Sequence, residues 1–260
     1  MDKNILEEAF RRLDEVLGEK KVISARLAVG GGCLIHYLPG VTKTRDNVNY
    51  FMTDAPVTRK LRANDLALLS PEERHRLAEE ERGLGDGEQR LDDAIKIVRH
   101  EFRNRLPMTW MERVRGNILQ GIDNVEVMNR CIMQGMGVLD FTSPRSLPPG
   151  QNVPPPLKQL KIYAIPMEYA FAAKLRRTDP MWQWPQPGQE DDRQELVGYL
   201  RVYLNKAQIF QVTLDEVKNW LDHIGGVPLE DLKATVHSVN YWWPKIYPNE
   251  PEPILTTASP

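Results

Sequence analysis

The chain is short of several things, and each shortage narrows what it can be. It has only two cysteines, Cys33 and Cys131, far apart among 260 residues. Two distant cysteines make no disulfide framework, and we expect a reducing, cytoplasmic setting. No apolar run approaches the roughly 20 residues that a membrane span needs. The first residues, MDKNILEEAFRRLDEVL, read as an amphipathic helix and not as a signal peptide. Positive charge is not in excess: 34 Lys and Arg face 36 Asp and Glu, a net charge of -2. No overall basic field therefore exists to hold a long nucleic acid. The five histidines, at 36, 75, 100, 223 and 237, form no i,i+4 pair and no H-E-x-x-H. No internal repeat is visible, and the oligomeric state stays open.

The chain has enough apolar residues, 41%, for one large core or two small ones. Ile5, Leu6, Ala9, Phe10, Leu13 and Leu17 recur at helical spacing, with Asp2 as the expected cap. Val22 to Val29 reads as a strand. Gly30, Gly31 and Gly32 read as a break, Cys33 to Leu38 as a helix ended by Pro39-Gly40, and Asn47 to Met52 as a second strand. Residues 53–90 look like a charged insertion, with a helix start at Ser70-Pro71-Glu72-Glu73 and a break at GLGDGE. Helices are expected over Leu91–Phe102 and Val125–Met133, and a strand over Gly137–Phe141. The six prolines of residues 144–156 mark a linker. Leu160–Ile165 reads as a strand and Pro166–Arg177 as a helix. A loop with Trp182 and Trp184 comes next, then a helix over Asp191–Asn205. Thr213-Leu214-Asp215-Glu216 is a capping box for a helix ending near His223. A last helix starts near Pro228, and the tail from Trp242 on reads as extended. The fold class is α+β, with a mixed sheet flanked by helices and a helical C-terminal region. The expected division is a core over 1–165, a helical region over 166–241 and a proline-rich tail over 242–260.

Chemistry concentrates at a few positions. Glycines between a strand and a helix let the backbone approach a phosphate, while the helix N-terminus offers free N–H groups. The same glycines serve packing equally well. No Gly-Lys-Ser/Thr follows, so this is not a P-loop, and the G-x-G-x-x-G spacing is absent. Lys174 sits in an apolar stripe with Met167, Ala170, Phe171 and Leu175, at i, i+3, i+4, i+7 and i+8 spacing. A lysine there must snorkel, find a carboxylate, or meet an anion. Cys33 and the tryptophan pair have plain packing roles available. Arg176 and Arg177 have one as last-turn cations.

The order of these segments resembles the nucleotidyltransferase-fold superfamily, in particular the minimal enzymes related to abortive-infection toxins. There a strand runs into Gly-Gly, a short helix follows, and a second strand presents Arg-x-Thr/Ser-Thr-x-Asp-Val-Asp. Here the matching residues are Thr42-Lys43-Thr44-Arg45-Asp46-Asn47-Val48-Asn49. Thr44 and Val48 match, Asn47 and Asn49 fall on the two aspartates, and Thr42 falls where arginine is frequent. Downstream, Met167 to Arg176 resembles the family's lysine helix. Asp191-Asp192-Arg193-Gln194-Glu195-Leu196 resembles its Lys-Asp-x-x-Asp-Ile element, with Asp192 and Glu195 on the acids. Thr109-Trp110-Met111-Glu112 is similar to a Trp-Leu-Asn element of relatives. The resemblance covers about residues 4–205 and leaves the 53–90 segment unaccounted for.

The resemblance implies a nucleoside triphosphate bound between the Asn47–Asn49 strand and the Lys174 helix. Gly30, Gly31 and Gly32 would form the floor, with Thr44 and Lys174 on the phosphates and Asp192 assisting. It also implies Mg²⁺ on the D-x-D positions, whose alternation puts both side chains on one face of a strand. Asn47 and Asn49 keep that geometry and lack its two negative charges, so Mg²⁺ binding is expected to be weak or lost. Asp46 points to the other face unless the strand bulges, and Asp140 is a candidate third acid. Asp191, Asp192 and Glu195 are equally first-turn acids favoured by a helix dipole. Three origins of the asparagines stay open: a pseudoenzyme that binds without transfer, a fold recruited to bind or convert a small metabolite, or an engineered Asp→Asn inactive variant.

Overall fold

The structure is a computed structural model. It describes residues 2–31, 34, 48–54, 57–58, 70–76, 85–114, 118–134, 156–177, 190–226 and 228–255. Gly32, Cys33, Thr42 to Asn47, the strand expected over 137–141 with Asp140, and the loop with Trp182 and Trp184 lie outside these residues.

The expected first helix is α1, Lys3–Glu19. Asp2 caps it by accepting from the backbone N–H of Asn4 (2.7 Å) and Ile5 (3.4 Å). Leu6, Ala9, Phe10, Leu13 and Leu17 are completely buried along one face. A tight turn with Lys21 at φ 59° leads into β1, Val22–Gly31. This strand continues through Gly30 and Gly31, two residues beyond the expected end. Both glycines are held in the sheet by antiparallel pairing with β2, Val48–Phe51, in the register Gly30 to Asn49 and Gly31 to Val48. Pairing overrides their weak strand propensity. The segment expected to be a plain insertion also gives a strand, β3, Val57–Thr58, antiparallel to the start of β1. Residues 71–76 are helical. They are capped as expected: Ser70 Oγ accepts from Glu73 N, and Ser70 N donates to the Glu73 carboxylate.

Helix α2 spans Gly87–Glu101 and starts four residues before the expected Leu91. The GLGDGE break is also its cap, since Asp86 accepts from Gln89 N at 2.8 Å. Gly85 there takes φ 72°, a left-handed geometry that glycine adopts freely. Strand β4, Met111–Arg113, lies parallel to β2. Helix α3 is Asn124–Gln134, and β5, Leu160–Ala164, lies parallel to β1. The sheet order is therefore β5–β1–β2–β4, with β3 against the beginning of β1.

Helix α4 is Met167–Arg177, α5 is Glu190–Ala207, α6 is Leu214–Asp222, and α7 is Leu229–Ile246. The capping box of Thr213 and Glu216 forms as expected. Helix α7 continues through Trp242 and contains Pro244, where an extended tail was expected. Trp243 is 1% exposed, and burying it holds the last turn helical despite the proline. Strand β6, Val212–Thr213, pairs in parallel with β7, Ile254–Leu255, beyond that helix. Asn240 clamps this tail with its amide, which donates to Ile254 O (2.8 Å) and accepts from Ile254 N (3.3 Å).

The architecture is thus α+β, a mixed sheet with helices on both sides. One face meets α1 and α2, where Phe10 packs on Trp110 at 5.8 Å and Tyr50 reaches Asp92 on α2. The other faces α4 and α5. One buried cluster runs from Leu6 to Ile254. No helix among the described residues is long and apolar enough to cross a membrane.

One polar device joins α1 to β5. The buried carboxylate of Asp14 accepts from the backbone N–H groups of Lys158 (2.9 Å), Gln159 (2.7 Å) and Leu160 (2.7 Å). Alanine at this position strands three donors at the start of a core strand. At about 1 kcal/mol or more for each buried unmade bond, Asp14→Ala should cost about 3 kcal/mol in urea unfolding. A loss below about 1 kcal/mol would show that water replaces the carboxylate.

Candidate functional site

Gly30, Asn49 and Lys174 lie in three separate segments, and the fold brings them to one cavity of about 270 Å³. Its floor is the sheet. Ala28 and Gly30 on β1 alternate on the face shared with Phe51 and Asn49 on β2, their partners in register. Its wall is helical: Ala170, Ala173 and Lys174 come from α4, and Glu195 and Tyr199 from α5. Ile165, at the turn between β5 and α4, closes one end.

Gly30 has a packing reason as well as a functional one. A Cβ there would stand 3.0 Å from Ile165 Cδ1, tighter than ordinary contact. That turn is itself fixed from α3. Gln134 accepts from Met167 N (2.9 Å) and donates toward Ile165 O (3.3 Å), so α4 starts in a set direction.

On α4, Met167, Ala170, Phe171 and Leu175 are all buried, as the stripe predicts. Lys174 lies among them, 6% exposed, and it finds a carboxylate: its ammonium donates to Glu195 Oε2 at 2.7 Å. Glu195 is 4% exposed, and its other oxygen accepts from the Tyr199 hydroxyl at 2.8 Å. Taking both charges out of water is costly, and their attraction offsets that cost only with good geometry and further hydrogen bonds. The Tyr199 bond is one of those. Burial and the nearby Asp92 push the Tyr50 phenol above its ordinary range, on the α2 face of the sheet opposite the cavity floor.

Asn49 is half-buried on the floor, and Gly31 ends β1 beside it. Asp192 lies in the first turn of α5, with its side chain outside the described residues. Thr44, Asn47 and Gly32 also fall outside them. The sequence reading named Glu112 only within the element Thr109-Trp110-Met111-Glu112, and it did not name Tyr199. Glu112 on β4 pairs with Asn49, so Gly30, Asn49 and Glu112 form one cross-strand row, and Glu112 is an exposed carboxylate at its end. A three-residue strand gives no periodic signal that would have placed it. Tyr199 did leave a signal, because it follows Glu195 at i+4 on a helix.

Of the two D-x-D positions only Asn49 is among the described residues. Mg²⁺ takes charged oxygens in near-octahedral geometry, and Asn49 offers a neutral amide. Among the described residues no three of His, Cys, Asp or Glu stand together to hold a metal. Across Val114 lies a second, more polar cleft of about 480 Å³. Its Arg113 is engaged by both oxygens of Glu88, at 2.6 and 3.1 Å.

No protein-family model, curated protein sequence or solved structure matches the chain.

Removing one partner of the buried pair should be far worse than removing both. Lys174→Ala leaves an uncompensated carboxylate and should cost about 3–5 kcal/mol. Lys174→Met with Glu195→Leu should recover most of that in the same urea titration. A double variant as unstable as the single one would mean that lost packing, and not the stranded charge, causes the damage.

Proposed function

We propose that the chain is a nucleotidyltransferase-like protein that holds a nucleoside triphosphate in the cavity between β2 and α4. The observation that carries this reading is the meeting of Gly30, Asn49 and Lys174 in one cavity. All three stand at positions of the family's motifs, and they are 144 positions apart at the extremes (174 − 30). In this reading Lys174 supplies the cation for the phosphates, with Glu195 bonded to it inside a largely apolar wall. Gly30 carries no side chain between the sheet and the ligand, and Gly31 follows it in the strand. The resemblance also assigns Thr44 and Gly32, outside the described residues, to the phosphates, and Asp192 stands at the start of the helix that carries Glu195.

Transfer is a separate matter from binding. Two metal ions normally activate attack on the α-phosphate. Asn47 and Asn49 stand where carboxylates would hold them, and the donor set does not fit Mg²⁺, so no transfer step follows from these residues. The reading is a nucleotide-binding protein in which transfer is weak or lost.

A second reading rests on the lining. Ala28, Phe51, Ile118, Ile165, Ala170 and Ala173 make most of the wall apolar, and Lys174 already has a carboxylate. A small metabolite with one polar or anionic group also suits such a cavity.

Calorimetry with ATP or GTP, with and without Mg²⁺, separates the two. The nucleotide reading expects saturable binding that Lys174→Met with Glu195→Leu abolishes while the protein stays folded. No heat at millimolar nucleotide in either condition sinks it. Asn47→Asp with Asn49→Asp should restore metal-dependent transfer if loss of charge is the only defect. Continued inactivity favours the metabolite reading.

A further inference from the structure

We propose that Arg26 and Lys161 form a binding site for a phosphate monoester, on the cavity side of the sheet but outside the cavity. The site does not depend on the nucleotide reading.

Arg26 on β1 and Lys161 on β5 are Cα partners in a parallel ladder that runs without a break from Ala25 and Leu160 to Val29 and Ala164. Neighbouring strands lie about 4.8 Å apart, and partners in register project to the same face. Alternation along β1 puts Arg26 on the face of Ala28 and Gly30, which form the cavity floor. At about 3.3 Å per residue, Arg26 stands roughly 7 Å along the strand from Ala28 and roughly 13 Å from Gly30. Both cationic side chains are exposed, so this part of the face is open.

Like charges directly opposite on neighbouring strands destabilise a sheet. Elsewhere in the molecule such charge is balanced: Arg12, Arg105, Arg113, Arg130 and Arg201 each engage a glutamate. Arg26 and Lys161 have no ion-pair partner among the described residues. A charged side chain on an end strand guards a sheet edge. That accounts for Lys161, since β5 ends the described sheet, and not for Arg26 on the strand between β5 and β2. Two adjacent cations match a group with two negative charges on one centre. A phosphate monoester carries about -1.5 to -2 at neutral pH. The guanidinium offers a planar fork for two of its oxygens, and the ammonium a point charge for the third. A carboxylate or a phosphodiester, with one charge, leaves one of the two cations unbalanced.

The test uses the full chain at low ionic strength, titrated with methyl phosphate and with dimethyl phosphate and followed by phosphorus NMR. Methyl phosphate should bind saturably and dimethyl phosphate about tenfold more weakly. Arg26→Gln with Lys161→Gln should weaken methyl phosphate about tenfold, the scale of a lost hydrogen bond to a charged group. Lys174→Met with Glu195→Leu should leave that affinity unchanged, whether or not the cavity takes a nucleotide. Equal affinity for the two probes overturns the proposal, and so does full affinity in the double glutamine variant. Loss of binding in the Lys174 and Glu195 variant places the phosphate in the cavity and overturns it too. A thermal melt gives a second readout. Lys161→Glu turns the opposed charges into an attractive pair, so in phosphate-free buffer it should melt above the parent. Methyl phosphate should then raise the melting temperature of the parent and not of this variant. A variant that melts no higher than the parent, or that methyl phosphate stabilises equally, contradicts the proposal.

Discussion

The ion pair of Lys174 and Glu195 is the constraint on which the site depends. It links α4 to α5 inside a largely apolar wall, where both side chains are more than nine-tenths buried. A pair so placed is not a cheap source of stability, because well-packed apolar residues of similar volume often do as well. Its presence therefore asks for another explanation, and the cavity it borders supplies one. In the proposed function, the Lys174 cation stands beside a sheet floor that Gly30 leaves open, and an anionic ligand would meet both. The floor and the wall are also tied to each other. Gly30 packs on Ile165, Ile165 leads into α4, and Gln134 fixes that turn.

The central strand sets the rest. β1 pairs with β2, β3 and β5, so it positions the floor, the edge and the turn into α4 together. Asp14 fixes the start of β5 from α1, which makes the far helical layer part of the same arrangement. The tail is drawn in from the other end. Arg201 on α5 pairs with Glu250 at 2.6 Å and stacks over the Tyr247 ring, and Asn240 holds Ile254. Helix α5 thus carries the cavity's carboxylate at one end and the anchor of the C-terminal segment further along.

Much of this was legible in the sequence wherever a local pattern decides the outcome. The stripe of α1, the cap at Thr213 and the face that buries Lys174 all follow from helical spacing and short-range hydrogen bonds. What the sequence hid was decided by distant partners. Gly30 and Gly31 read as a break because glycine is a poor strand former, and only their pairing with Asn49 and Val48 makes them strand. Gly87 opens a helix because Asp86 caps it, although the flanking glycines suggest a loop. Pro244 stays helical because Trp243 is buried. At the site, Lys174 and Asn49 were visible as residue types in suggestive places, and Glu195 was visible as one acid among three. That Glu195 is the partner of Lys174, and that Glu112 falls beside Asn49, depends on helix packing and strand register, which no single stretch encodes.

The central claim is that Lys174, Gly30 and Asn49 surround the phosphates of one ligand. A crystal structure grown with a non-hydrolysable ATP analogue tests it most directly. Phosphate density is predicted within hydrogen-bond distance of Lys174 Nζ, over the floor formed by Gly30 and Asn49. An analogue bound elsewhere, with the cavity closed by Glu195 and Lys174 as before, would contradict it.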